Sequence, residues 1–253
     1  MPNRFTTLLV MTSGLILCST ARADESATRL QNLLVALGGR DQYSKSLNAH
    51  ITATVRTVAA QPGLEVKATV TRHNRDDGSV RVERNTQGQV RTIGTDTHNY
   101  WQQQRDGKVS PLAAEEKTGL QLDVIREQLP LRYAELGYIA TAGEAGSLTF
   151  RRKGVSPEAR APGDRFHFVL DPKTHLPKSV TFDRKDPFGK RAIEHTIQFA
   201  NYRTVSGVPI AHTTTRLRGG KPTHTTEVTK IEIGKRAPDA RFLAPTEKPP
   251  TKG

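Results

Sequence analysis

The 253-residue chain carries 38 lysine and arginine residues against 25 aspartate and glutamate residues, a formal net charge of +13, and it has a single cysteine. One cysteine cannot form an intrachain disulfide, so the fold depends on an apolar core, for which a chain of this length is large enough. The basic residues are scattered, without a run of five or six like charges. This favours a solvated strand face, and attraction to an anionic membrane surface is the alternative.

Residues 1–23 have the pattern of a secretory signal peptide: a basic start, an apolar segment over 8–18 and small residues before Ala23. The apolar segment is shorter than the roughly 20 residues that a permanent membrane-spanning helix needs. We therefore predict export into the bacterial envelope with cleavage after Ala23, which excludes nucleic acid as a partner. Lipidation of Cys18 is the alternative. It is disfavoured because Leu17 occupies a position at which lipoprotein signals have a small residue.

Residues 26–37 are predicted to form an amphipathic helix. Ser26 can cap its start, and Gly38 and Gly39 can end it. Its apolar positions recur at i, i+3, i+4 and i+7: Leu30, Leu33, Leu34 and Leu37. The helix is short and not strongly basic, which favours packing on the protein's own sheet over lying on a membrane.

From residue 48 the apolar residues alternate with polar ones, which indicates β-strands. Turn signals separate the apolar runs, including Asp76-Asp77-Gly78 and Gln87-Gly88. The pattern predicts about five consecutive antiparallel strands that end near Asp106-Gly107.

A helical insertion is predicted over about 111–140, with Pro111 at its entry and Pro130 at its exit. Strands then resume, and the pattern predicts six more: 148–152, 166–170, 180–184, 193–202, 208–218 and 223–233. We predict one mainly β (α+β) domain over 24–243, with a curved antiparallel sheet of about 11 strands. The proline-rich tail 244–253 is predicted to be disordered.

The sequence contains no arrangement typical of catalysis or of a tightly bound ion. Its eight histidines form no HxH, HxxxH or HExxH pattern, and no GxSxG nucleophile motif is present. The glycine-rich segment 143–147 lacks a following lysine and predicts a turn, not a phosphate loop. We therefore expect no enzymatic activity, no metal and no cofactor.

The second half of the chain carries a recognisable series of turns. An Asp171-Pro-x-Thr turn precedes a strand, a Tyr202-Arg-x-x-x-Gly-Val-Pro hairpin follows, and Phe242-x-x-Pro245 closes the series. In this order of elements the chain resembles the LolA/LolB lipoprotein-carrier superfamily, especially the periplasmic outer-membrane lipoprotein-sorting proteins. The opening helix with its Gly38-Gly39 end is also similar. The matching residues are concentrated in 166–245.

The resemblance implies a periplasmic protein with an unclosed β-barrel around an apolar cavity, an N-terminal helix and a helical lid. Carriers of that type hold lipid or lipoprotein acyl chains. The strand residues that we expect to line such a cavity are Ile51, Val55, Val66, Val70, Trp101, Phe166, Phe168 and Phe182. The residues expected on the lid are Leu122, Ile125 and Leu129. Each of these is also an ordinary core residue. The alternative function is a sensing or protein-interaction module of the same fold, with an envelope protein as its partner.

Overall fold

The computed structural model describes residues 25–58, 65–185 and 192–245. The predicted signal peptide and residues 246–253 of the predicted tail lie outside the described residues. Helix α1 covers 25–36, α2 covers Arg40–Ser46 and α3 covers Ala114–Arg132. Two short 3-10 helices lie at Glu144–Gly146 and Asp239–Arg241.

The described residues form thirteen β-strands in one antiparallel sheet. The strands are β1 (Ala49–Val58), β2 (Glu65–Asn74), β3 (Val80–Thr86), β4 (Gln89–Thr95), β5 (Tyr100–Gln103), β6 (Val109–Pro111), β7 (Tyr138–Ala142), β8 (Ser147–Arg152), β9 (Arg165–Leu170), β10 (Pro177–Lys185), β11 (Ala192–Val205), β12 (Val208–Arg218) and β13 (Lys221–Ile233). The mainly β fold class is therefore confirmed, with two short strands more than expected, β6 and β7. They flank α3 at the two ends of the segment that was predicted to be a helical insertion.

The strands follow one another around the sheet in chain order. The order is β6-β5-β4-β3-β2-β1-β13-β12-β11-β10-β9-β8-β7, so the first and last strands pair at the centre. The sheet is not closed, because β6 and β7 form its two edges, and α3 connects these edges. Two-residue hairpin loops at 87–88, 206–207 and 219–220 combine positive φ angles, as type I′ turns require, and set the register of the strands that they join.

Helix α3 differs from the predicted helix at its end. Pro130 was expected to mark the exit, but the helix continues through Pro130 to Arg132. The segment between Arg132 and β7, which lies within the predicted helical insertion, forms turns. Helix α2 was not predicted, because its seven residues contain no apolar periodicity.

The main core lies between the helices and the half of the sheet that contains β7–β11. Leu33 and Leu37 near the end of α1 pack with Leu122 and Leu129 of α3 against a set of buried aromatic and aliphatic strand residues. Packing of the N-terminal helix on its own sheet is thus confirmed. A smaller cluster joins the opposite side of α3, at Leu120, to Val80 of β3.

Candidate functional site: a cavity between the lid helix and the centre of the sheet

A cavity of about 770 Å³ lies between α3 and the central strands. Among the described residues, the strand residues of the packed hydrophobic clusters come from β3–β5 and from β7–β11. None of these clusters of described residues includes a residue of β1, β2, β12 or β13. Small side chains such as Ala49 and Ala53 occupy inner positions of β1. The inner face of the central strands is therefore not filled by the helices, which leaves the cavity.

The strand side of the cavity is mainly apolar. Side chains from both sides of the β1–β13 junction contribute to it: Ala49, Ile51, Ala53, Val55, Val70, Val82, Ile93, Phe168, Ile197, Phe199, Ile210, Val228 and Ile231. Alternation along each strand accounts for this, because every second residue points to the same face of a sheet.

Of the strand residues expected at the cavity, Ile51, Val55, Val70 and Phe168 line it. Val66 continues the alternation of β2, but it lies at the end of that strand, is 38% exposed and is not among the lining residues.

Three aromatic residues of the expected set lie elsewhere. Phe166 and Phe182 are buried in the main core, with ring centroids 5.3 Å apart. Trp101 pairs with Gly94 and lies on the other face of the sheet from Ile93 and the cavity. There its indole nitrogen donates a hydrogen bond of 2.9 Å to the carbonyl of Phe242.

The three residues expected on the lid all lie on α3 but turn away from the cavity. Leu122 and Leu129 are buried in the main core, and Ile125 packs against it. The helix presents a different face to the cavity, and this face carries Glu116, Asp123 and Glu127. Their spacing of seven and four residues places them on one side of a helix.

Asp123 lies at the centre of the ion pairs between α3 and the sheet. Its carboxylate accepts hydrogen bonds from Arg126 of the same helix at 2.8 Å and from Arg216 of β12 at 3.0 and 3.1 Å. Burial on its own would raise the pKa of Asp123, but the nearby guanidinium groups, led by Arg216 and Arg126, overcome this and hold the pKa below its usual range. The same carboxylate raises the pKa of Arg216.

Two further ion pairs connect α3 to the first half of the sheet. Arg72 of β2 donates to Glu127 at 2.9 Å, and Arg91 of β4 donates to both carboxylate oxygens of Glu116 at 2.7 Å. Tyr43 of α2 donates a hydrogen bond of 2.8 Å to the backbone carbonyl of Glu127. Helix α3 is thus held across the cavity by charged side chains from strands on both sides of the central junction.

Arg184 of β10 lies directly against the helix backbone. A Cβ atom added to Gly119 would fall 1.7 Å from Nη2 of Arg184, so the missing side chain of Gly119 makes room for the guanidinium group of Arg184. Arg184 and Arg84 of β3 both line the cavity. Arg84 donates a long hydrogen bond of 3.4 Å to the hydroxyl of Thr57.

Sequence reasoning missed the charged part of the cavity, although the sequence held a signal for it. Arg72 follows Ala68 and Val70 in the apolar phase of β2, and Arg184 follows Phe182 in the same way. A charged residue at an apolar position of a strand alternation indicates a polar partner on the inner side, because an unpaired buried charge is costly.

Among the described residues, no group of three or more histidine, cysteine or acidic side chains is arranged to hold a metal ion. None of the helices in this part of the chain is long and apolar enough to span a membrane.

Comparison with known proteins finds similarity only at the level of structure. No protein-family model matches the chain, and no curated protein matches its sequence. A LolA superfamily protein from Nitrosomonas europaea superposes with a TM-score of 0.54 at 11% identity, over 83% of this chain and 97% of that one. A DUF1329 family protein from Desulfovibrio piger gives a TM-score of 0.56 at 11% identity, over 86% of this chain and 97% of that one.

A third solved structure, a Vibrio parahaemolyticus domain assigned to outer membrane lipoprotein sorting, gives a TM-score of 0.52 at 12% identity. It covers 84% of this chain and 97% of its own. At these identities the likeness concerns the fold alone, and it confirms the resemblance at that level.

Proposed function

We propose that this chain, whose fold is that of LolA-superfamily and lipoprotein-sorting proteins, is a non-enzymatic periplasmic carrier that holds an acyl chain of a lipid or lipoprotein in its cavity. The observation that carries the proposal is the apolar wall of the central strands. The helices do not pack against this wall, which leaves a cavity of about 770 Å³. This volume is within the range of about 300–1,000 Å³ that is typical of small-molecule sites.

The driving force for such binding is the removal of the acyl chain from water. Each methylene group that enters an apolar site contributes about 0.8 kcal/mol, before the cost of ordering the ligand. Ile51, Val70 and Ile231 are partly exposed aliphatic residues on the cavity wall, so a ligand would cover apolar surface that water now reaches.

The charged groups of the cavity support a binding role over a catalytic one. Asp123 and Glu116 are engaged by arginines that lower their pKa values, which leaves them ionised and poor proton donors at neutral pH. Wherever a carboxylate in the described residues has a shifted pKa, the shift is downward.

The first test is to purify the protein from the periplasm after expression of the full chain, and to record native mass spectra beside a solvent extraction. A copurifying mass of several hundred daltons that denaturation releases as lipid would support the proposal. A bare protein mass, with no later uptake of a fluorescent fatty acid, would contradict it and favour the protein-interaction module.

A paired substitution locates the ligand within the protein. Ala53→Trp places a large ring in the cavity, whereas Thr69→Trp adds the same ring to the exposed face of the neighbouring strand. We expect Ala53→Trp to abolish fatty-acid uptake and Thr69→Trp to leave it unchanged. Equal uptake by two folded variants would place the ligand outside this cavity.

A further inference from the structure

The cavity contains more positive than negative charge. Five arginines and three carboxylates line it. Arg72, Arg126 and Arg216 pair with Glu127 and Asp123, and the third carboxylate, Glu116, is engaged by Arg91. The two remaining cations of the lining, Arg84 and Arg184, form no ion pair with any carboxylate in the described part of the chain.

We infer that the cavity selects acyl ligands with an anionic head group, a carboxylate or a phosphate, and that Arg184 and Arg84 bind this head group. The inference rests on the proposed carrier function and specifies its ligand class. It follows from the position of two cations on the same cavity as an apolar wall, neither of them within ion-pair distance of a carboxylate among the described residues. Asp123 and Glu115 act on Arg184 only from a greater distance. An amphiphile with one apolar tail and one oxyanion would satisfy both parts of the site.

Arg184 is suited to this contact by its position. Its side chain is half-buried, and burial lowers its pKa, which is the sign of a cation held partly out of water. Arginine presents a planar fork of donors that matches the geometry of carboxylate and phosphate oxygens. The guanidinium group rests on Gly119, so its location depends on the absence of a side chain there.

Two histidines near these arginines respond to the same positive charge. The pKa of His195 is lowered to about 4, first by burial and then by Arg184 and Arg216. The pKa of His224, which lines the cavity, is lowered by burial and then by Arg216 and Arg84. A bound anion would oppose the effect of the arginines, so we expect it to raise both values.

The test compares three ligands of equal chain length by calorimetric titration near neutral pH, below their micelle concentrations: dodecanoate, dodecyl phosphate and dodecanol. We expect the two anions to bind about tenfold or more tightly than the alcohol, since a hydrogen bond to a charged group contributes that much. Arg184→Gln and Arg84→Gln should each reduce this preference. Arg203→Gln, at an exposed position of β11, is the matched control and should retain it.

The outcomes separate the two proposals. If all three ligands bind alike, the head-group inference is wrong and the carrier proposal stands. If none binds, the carrier proposal fails with it. A preference for only one of the anions would support the inference and identify whether the head group is a carboxylate or a phosphate.

Gly119→Ala is a second variant that leaves every charge in place. Its new methyl group requires the Arg184 guanidinium to move, and alanine is the better helix former. We expect a protein that folds at least as stably as the wild type and has lost most of its preference for anions. An unchanged preference in this variant would exclude Arg184 as the head-group contact.

Discussion

Asp123 is the position at which substitution tests the ion pairs of the cavity most directly. Asp123→Asn preserves the size of the side chain but removes its charge, which leaves Arg216 without an ion pair to any carboxylate in the described part of the chain. The Asp123 side chain is 14% exposed, and those of Arg126 and Arg216 are 9% and 32% exposed. The pairs are therefore largely, but not completely, removed from water.

Removal of one partner from a buried ion pair typically costs about 3–5 kcal/mol, because the other charge stays buried without compensation. Here Arg126 keeps its contact with Glu127 at 3.0 Å, and Arg216 keeps some access to water. We therefore expect a loss near the lower limit of this range, about 3 kcal/mol in the free energy of unfolding. Urea titrations followed by circular dichroism, with an unchanged m-value, would measure it.

The control is Glu135→Gln, just beyond the end of the same helix. Glu135 pairs with Arg132, but the two side chains are 64% and 41% exposed, so we expect a loss of less than about 1 kcal/mol. If Asp123→Asn costs no more than this control, the ion pairs of the cavity do not hold α3 in place, and the reasoning is refuted.

The pH dependence gives a second check on Asp123. Its pKa in the folded protein is depressed, so its contribution is present above the unfolded value of about 3.9 and is lost as the pH falls through the folded value. The stability difference between wild type and Asp123→Asn should remain constant from pH 7 to about 5 and narrow only below about pH 4. A difference that disappears near pH 6 would assign the effect to another group.

Three further predictions concern other parts of the fold. Gly94→Ala should cost about 1–3 kcal/mol and shift the fluorescence of the single tryptophan to longer wavelength, because a Cβ atom there would lie 2.3 Å from Trp101; an unshifted spectrum would contradict this packing. Phe242→Ala should cost about 3–5 kcal/mol in urea titrations, since Phe242 is 1% exposed; a loss below 1 kcal/mol would mean that the C-terminal segment does not cover Trp101. Because the pKa of His195 is about 4 in the folded protein against 6.5 for a free histidine, acidification from pH 6.5 to 4 should destabilise the fold, and His195→Gln should weaken this dependence; an identical pH profile would refute the assignment.

The sequence was sufficient to predict most of the fold, because alternation and turn chemistry are local properties. The strands from 148 onward and the Gln87-Gly88 hairpin lie where the pattern predicted them. Strand β6 has only three residues, and the sequence of β7, Tyr-Ile-Ala-Thr-Ala, does not alternate regularly between apolar and polar residues, so both strands escaped prediction.

The cavity could be predicted only in part, because alternation shows which residues share a face but not what covers that face. Phe168 and Phe182 lie on inner faces of neighbouring strands, yet Phe168 lines the cavity while Phe182 is enclosed by the core. Both rings belong to the main core, and the alternation along the strands does not show that Phe168 also borders the cavity. Trp101 was expected at the cavity, whereas its pairing with Gly94 places it on the other face.

The pairing of β1 with β13 at the centre of the sheet has a consequence for the stage of folding at which the cavity can form. Each half of the sheet is built from hairpins between strands that are close in the chain, and such contacts form early. The junction joins the first strand to the last, and the entropic cost of closing so long a loop places it late in folding. The cavity walls come from both sides of that junction, so the cavity is complete only after β13, the last strand, has been made and paired with β1.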